Sequence, residues 1–405
     1  MSKTVVIAGA FDTKGREFAF VRDLVKAHNI KTLTIDIGVI GNPGFTPDIN
    51  NGEVAKAGGS TIEILKTKKD KTKAMRVMSE GLSVIVNRLY REGKLNGILS
   101  MGGSGGTAVV TAAMRELPVG IPKIMVSTMA GGDVSSYVGT SDIIMIPSVV
   151  DVAGINRISR KIYSNAAEAI AGMVKAESPS PVEEKPLIAA SMFGNTTKCI
   201  DQASANLNKK GYETVVFHAV GTGGRTMEKL IGNAYFEGVL DLTTTELADE
   251  ICGGLLSAGP DRLKAAPNAA IPVVIAPGCI DMANFFGKDT LPKKYKNRNL
   301  YEWNPNITLM RTNIEENIKI GQMIATAANL AEKGKVVVIL PLKGVSMLDS
   351  KGNPFWDQDA DQACYNAIKD NLRSDIPVVE IDCNINDKEF SDKATELLEE
   401  MIKNK

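Results

Sequence analysis

Histidine is nearly absent from this sequence, with two copies, His28 and His218, in 405 residues. No HExxH pair or histidine-rich run is available to build a transition-metal centre. Cysteine is sparse and irregular. Its five copies, Cys199, Cys252, Cys279, Cys364 and Cys383, are odd in number and never fall in CxxC spacing. That pattern argues against a disulfide framework or a zinc knuckle and fits reduced thiols. Aromatic residues make up 5% of the chain, too few for a base-stacking surface. Net charge is missing too: Lys+Arg and Asp+Glu both number 47, so bulk attraction to nucleic acid or an acidic membrane is not expected. No apolar run reaches membrane-spanning length, and a strand pattern begins at Thr4, which predicts neither signal peptide nor anchor. The expectation is a cytoplasmic protein that binds neither nucleic acid nor membrane.

Glycine is plentiful, and its densest stretch organises the rest. Leu99-Ser-Met-Gly-Gly-Ser-Gly-Gly-Thr107 is entered by an apolar run and left by a helical pattern, Thr107 to Leu117. A strand, glycine turn and helix in that order suit an anion such as phosphate, because free helix N–H groups and the positive dipole end meet it. The stretch is neither a Walker A loop nor a clean GxGxxG, and a plain tight turn is the competing reading.

Along the chain, Thr4 to Ala8 reads as a buried parallel strand, followed by GAFDTKG (Gly9 to Gly15) and a helix to Ala27. Lys31 to Ile35 is a second strand, closing on Asp36 and Gly38. Ile40 to Ser60 reads as an exposed loop, and Asp70 to Gly93 as one long amphipathic helix. Ser127 and Thr128 end another strand. Ala176 to Lys185, AESPSPVEEK, has linker composition. The domains predicted are therefore 1–176 and 186–405, joined by 177–185. The second restarts the first: VVIAGAFDTKG…KTLTIDIG matches LIAASMFGNTTK…ETVVFHAVG, with Phe11 against Phe193 and Asp36 against His218. The fold class expected is α/β, with two Rossmann-like doubly wound domains and mainly parallel sheets. Lys288 to Asn304 shows no helix or strand period and reads as a surface loop, as does the long stretch PLKGVSMLDSKGNPFWD.

Several blocks together, GAFDTKG, SMGGSGGT, MFGNTT, FHAVGTGGRTMEK, APGCIDMANF, LMRT and LPLKGVSMLD, occur in an order that resembles the Tm-one-like ATP-binding domain family over roughly Lys3 to Asp382. The resemblance implies two Rossmann-like domains, ATP with magnesium in the N-terminal one, and a homodimer. On that reading Phe11, Asp12, Thr13 and Lys14 face the nucleotide, with Lys14 on a phosphate, Thr13 on a phosphate or magnesium, and Asp12 either facing the metal or supporting it from behind. An Asp/Thr helix cap with a solvated lysine is the competing reading. Gly102, Gly103, Ser104, Gly105, Gly106 and Thr107 cradle phosphates. Ser127 and Thr128 join them from the next strand tip, and Asp36 with Gly38 either holds a ribose hydroxyl or caps a loop.

A second function class is open: an enzyme acting on a small anionic metabolite at the second sheet edge or between the domains. His218 and Cys279 each end a strand, so both belong to one sheet edge and suit a base and a nucleophile. Arg225 or Arg311 suits an anion clamp. Lys343, Asp349 and Asp357 in the long loop are candidates for substrate contact.

Overall fold

The computed structural model describes residues 3–68, 70–176 and 184–404. The chain divides into two compact units, Met1–Pro181 and Val182–Lys405. Most of the predicted linker, 177–183, lies outside the described residues.

The first unit runs β1 (Thr4–Gly9), α1 (Phe11–Ala27), β2 (Lys31–Asp36), α2 (Asn51–Ala57), α3 (Ile62–Lys68), α4 (Lys71–Arg91), β3 (Gly97–Gly102), α5 (Ser104–Arg115), β4 (Lys123–Ser127), α6 (Ser135–Val138), β5 (Ile144–Pro147) and α7 (Arg157–Lys175). Its five strands form one parallel sheet in the order β2-β1-β3-β4-β5. Alternate residues of each strand point to opposite faces. Val6, Ala8, Ile98 and Met125 pack beneath α2, α4 and α5, whereas Val5, Ile7, Leu99 and Val126 pack beneath α1 and α7. Burial on both faces is why these strands read as unbroken apolar runs. The stretch from Ile40 to Ser60 is not all loop. Asn50 and Glu53 cap each other's backbone N–H at 3.0 Å and start α2 there.

The second unit runs β6 (Leu187–Met192), α8 (Thr197–Lys209), β7 (Glu213–His218), α9 (Thr222–Gly232), β8 (Gly238–Thr243), α10 (Thr245–Cys252), α11 (Ala265–Asn268), β9 (Val273–Gly278), β10 (Met282–Phe286), β11 (Leu300–Asn304), β12 (Ile307–Arg311), α12 (Ile314–Ala328), β13 (Val336–Pro341), α13 (Gln358–Asn371), β14 (Val378–Ile381) and α14 (Lys388–Lys403). Six parallel strands lie in the order β14-β13-β9-β8-β6-β7, again covered on both faces. In each unit the first strand sits beside the second on one side and the third on the other. The register is shared as well: Gly9 faces Asp36 in one sheet and Met192 faces His218 in the other. The fold is thus α/β, with two mainly parallel, Rossmann-like sheets.

The second unit also carries an antiparallel insert, β10-β12-β11. The predicted loop over 288–304 ends in β11, where Leu300 and Tyr301 pair with Met310 and Leu309. Leu-Tyr-Glu-Trp-Asn does alternate, but five residues beside a basic polar run carry too little period to stand out.

Candidate functional site

In an open parallel sheet, ligands settle beyond the carboxyl ends of the strands where the winding reverses. In the first unit that point lies between β1 and β3. A cavity of about 590 Å³ opens there, lined by Ala10, Asp12 and Thr13 at the start of α1, Gly38 to Ile40 after β2, and Gly105 and Gly106 at the start of α5. Leu65, Ala74, Met75, Met78 and Val109 supply an apolar wall, with Lys66, Asp70 and Lys71 on the same lining. Its size is that of an ordinary small-molecule site.

Two helix N-termini converge on this space. The first intrahelical bond of α5 runs from Thr107 N to Gly103 O at 2.9 Å. The N–H groups of Ser104, Gly105 and Gly106 find no protein acceptor among the described residues. The glycines themselves are not demanded by the turn. None of residues 103, 105 and 106 has positive φ. A Cβ on Gly105 or Gly106 would come no closer than 3.9 Å to Met75 or the Met101 carbonyl. The chain leaves room here that its own packing does not use.

Asp12 sits opposite. Its Oδ2 accepts from Ile40 N at 2.8 Å and Gly41 N at 3.1 Å, while its Oδ1 is buried without a partner among the described residues. Gly38 is required for that approach, because a Cβ there would lie 2.5 Å from the Asp12 carboxyl carbon.

Other expected residues are placed elsewhere. Phe11 is buried against Phe18 and Phe45, in the core. Lys14 Nζ donates to the Val152 carbonyl, and α1 kinks at Lys14. It is therefore tied to the chain after β5, not aimed at the cavity. Asp36 is fully buried, and its Oδ1 accepts from Phe11 N at 3.0 Å and Gly38 N at 2.9 Å. Burial pushes its carboxyl up, against those two bonds. Of the two readings left open for Asp36, the structural one describes it: it joins β2 to the start of α1. Thr107 and Ser127 are buried and bond each other at 2.6 Å. Ser127 and Thr128 line a second cavity, of about 500 Å³, at the tips of β4 and β5. The apolar wall from α3 and α4 carried no separate signal, because a helix face lining a cavity has the same spacing as one buried in a core.

The corresponding crevice of the second unit, between β6 and β8, is closed by its own side chains. Thr196 and Thr243 bond at 2.8 Å, and Ser191 donates to Asp241 at 2.7 Å. Cys279, Met282, Leu309, Leu348 and Phe355 cluster with Phe193 beside them. The glycine turn that opens α9, Gly221 to Gly224, already holds an anion, the Glu246 carboxylate, whose Oε1 accepts from Gly221 N at 2.7 Å and Gly224 N at 3.1 Å.

The expected pairing of His218 with Cys279 does not form. His218 ends the exposed edge strand β7, its ring 5.4 Å from that of Phe193, and β6 and β8 stand between it and β9. Cys279 is fully buried with φ of 56°, and burial, reinforced by Asp281, pushes its thiol well above the usual range. A buried protonated thiol is no nucleophile. Arg311 is no substrate clamp either. It donates to Phe355 O at 2.8 Å, Asp357 O at 3.1 Å and Asp361 Oδ1 at 2.7 Å, and is itself buried. Arg225 is exposed and donates to Ser257 O at 2.9 Å. Asp349 belongs to the same buried network, accepting from Val345 N at 2.9 Å. Asp357 caps α13 through Ala360 N at 3.1 Å, and Lys343 pairs with Asp382 at 2.8 Å on the surface. Cys383, Asp387 and Glu389 bring ligand atoms within 4.8 Å of one another, but burial beside the two acids pushes the thiol up to about 11.

One carboxyl of this unit has a measurable pH signature. Asp249 is buried, accepting from Asn284 N at 2.9 Å and Asn284 Nδ2 at 2.8 Å, and burial pushes its carboxyl up to about 7. The folded form then holds a proton that the unfolded chain has released above its ordinary value of about 4. The contribution to stability is full below about pH 4 and falls as pH rises to about 7. Asp249→Asn should reduce this slope by up to about 1.4 kcal/mol per pH unit in urea melts between about pH 5 and pH 7. The introduced amide can donate to Asn284 Oδ1, which has no partner among the described residues, once the Asn284 amide flips. An unchanged slope would mean that Asp249 is already ionised at the lower pH.

Fold and site together define an α/β protein of two Rossmann-like units with an open crevice at the switch point of the first. The chain belongs to the uncharacterised protein family UPF0261, whose N-terminal domain matches residues 3–179 and C-terminal domain residues 185–402. A UPF0261 protein of Clostridium tetani is 51% identical over 392 residues, covering 96% of this chain and 97% of the relative. The ToMV resistance protein Tm-1(GCR237) of Solanum lycopersicum is 41% identical over 327 residues, covering 78% of this chain and 43% of the tomato protein. Among solved structures, UDP-GlcNAc 2-epimerase of Methanocaldococcus jannaschii is similar at 8% identity and a TM-score of 0.24, covering 68% of this chain and 83% of that one. No helix among the described residues is long and apolar enough to cross a membrane.

Proposed function

We propose that the first unit binds a nucleoside triphosphate, ATP by resemblance, in the crevice between β1 and β3. The observation that carries this reading is a cavity in which two helix N-termini, unused glycine space and an apolar wall meet. The N–H groups of Ser104, Gly105 and Gly106 would take phosphate oxygens. Leu65, Ala74, Met75, Met78 and Val109 would cover the base. Magnesium fits the donors present, since a hard divalent cation takes carboxylate oxygens and the buried Asp12 Oδ1 has no partner among the described residues. Asp12, with the Thr13 hydroxyl beside it, would hold the ion, which neutralises phosphate charge when bound.

Titration calorimetry of the full chain with Mg-ATP tests this. Gly105→Val places its Cβ against the flexible tip of Met75, so the fold should tolerate it. It should weaken binding about ten- to a hundredfold, on the order of 1.4–2.8 kcal/mol. Absence of binding by the unsubstituted protein overturns the reading. Unchanged affinity in Gly105→Val overturns the placement of phosphates on α5.

A further inference from the structure

The glycine turn has a second side. Thr128 N donates to Gly102 O at 3.2 Å, and Thr128 Oγ1 lies 3.8 Å from where a Cβ of Gly103 would stand. The turn that opens α5 thus has the nucleotide crevice at Gly105 and Gly106, and the cavity of about 500 Å³ near Gly103. The far wall of that cavity is a strained strap. Val149 has φ of 62° and is 77% exposed, while Val150 N closes on Ser148 O at 2.6 Å and Ser148 Oγ donates to Val150 O at 2.7 Å. A β-branched residue in left-handed backbone is costly, and such strain gathers at functional sites. The strap is pinned to α1, because Lys14 Nζ donates to Val152 O and the Glu17 carboxylate accepts from Gly154 N.

The chemistry of the lining selects the occupant. It offers the exposed Thr128 hydroxyl, the Ser148 oxygen as an acceptor only, since its proton goes to the Val150 carbonyl, and one carboxylate, Asp151, exposed and without a partner among the described residues. No lysine, arginine or histidine is among the described residues that line it. A second anion would find no counter-charge there, whereas a neutral hydroxylated molecule would find acceptors and donors.

We infer that this cavity is the acceptor subsite of a phosphotransfer reaction, taking a small neutral polyol or sugar. The inference rests on the nucleotide reading of the neighbouring crevice. The acceptor hydroxyl oxygen bonds to the terminal phosphorus as the bond from that phosphorus to the bridging oxygen breaks, its electron pair leaving with the nucleoside diphosphate. The hydroxyl proton passes to the Asp151 carboxylate, the role a carboxylate base fills in phosphoryl transfer to hydroxyls.

The full chain with Mg-ATP is assayed for ADP in the presence of glycerol, erythritol, ribitol, xylose or glucose, with phosphorus NMR of the product. At least one acceptor should raise ADP formation tenfold or more over water, with one phosphomonoester formed per ADP. Asp151→Asn should lower that rate a hundredfold or more and leave the Kd for Mg-ATP within twofold. Gly131→Phe, whose Cβ meets no atom within 4 Å, should fill the cavity, abolish acceptor stimulation and spare nucleotide binding. No binding of Mg-ATP would fail the crevice reading itself. Normal binding with no stimulation by any acceptor, or full activity in Asp151→Asn, overturns the acceptor subsite alone.

Discussion

Arg262→Met should cost the second unit about 3–5 kcal/mol, the range for breaking a buried ion pair from one side. Against the usual domain stability of about 5–15 kcal/mol, that is a large fraction of the total. The Arg262 side chain is fully buried and donates to Asp241 at 2.5 and 2.6 Å, Glu246 at 2.6 Å and Glu228 at 3.0 Å. Methionine fills much of the volume but leaves three carboxylates without their cation in a region of low dielectric. The loss should shrink as pH falls, because burial already pushes the Glu228 carboxyl up and, once protonated, it no longer needs the guanidinium. Arg262→Lys should be nearly as damaging, since one ammonium cannot reproduce the two-oxygen grip on Asp241 together with the bond to Glu246. Urea denaturation followed by circular dichroism reads both. A loss below about 1 kcal/mol for Arg262→Met would mean that the three carboxylates do not depend on the guanidinium for their burial.

Arg311→Met should have an effect of similar size by a different route. Arg311 holds the loop between β13 and α13 through the Phe355 and Asp357 carbonyls, and its charge offsets Asp361, Asp281 and Asp349. Burial already pushes the Asp281 and Asp361 carboxyls up. Removing the cation should cost about 3–5 kcal/mol and free residues 342–357. Trypsin should then cut after Lys343 or Lys351 well before global unfolding. Loss of stability without faster cleavage in that loop would show that Arg311 serves charge balance and not the fastening of the loop.

Much of the fold was legible because the local pattern and the final environment agree. Thr4 to Ala8 and Lys123 to Ser127 are apolar on both sides because helices cover both faces. The helix expected over 70–93 is α4, capped by Asp70 through Lys73 N at 3.0 Å. The site was legible only in part. Asp12, Thr13, Gly38, Gly105 and Gly106 line the crevice, while Lys14 and Asp36 carry equally suggestive residue types and are turned to structural bonds. Nothing in GAFDTKG distinguishes a lysine on a phosphate from one on a carbonyl 138 residues away.

The sequence by itself determined the alternation of strands and helices in the parallel sheets, the glycine turns that open α5 and α9, and the start of α4, since these depend on spacing within a dozen residues. Tertiary structure alone decided which glycine turn stays open. Glu246, 25 residues beyond Gly221, fills the second with its own carboxylate, and no side chain does this for the first among the described residues. It also decided that Arg311 meets Asp361, 50 residues on, and that His218 and Cys279 stand apart. Periodicity records which face of a segment is buried; what that face meets is set by chain crossings far apart in sequence.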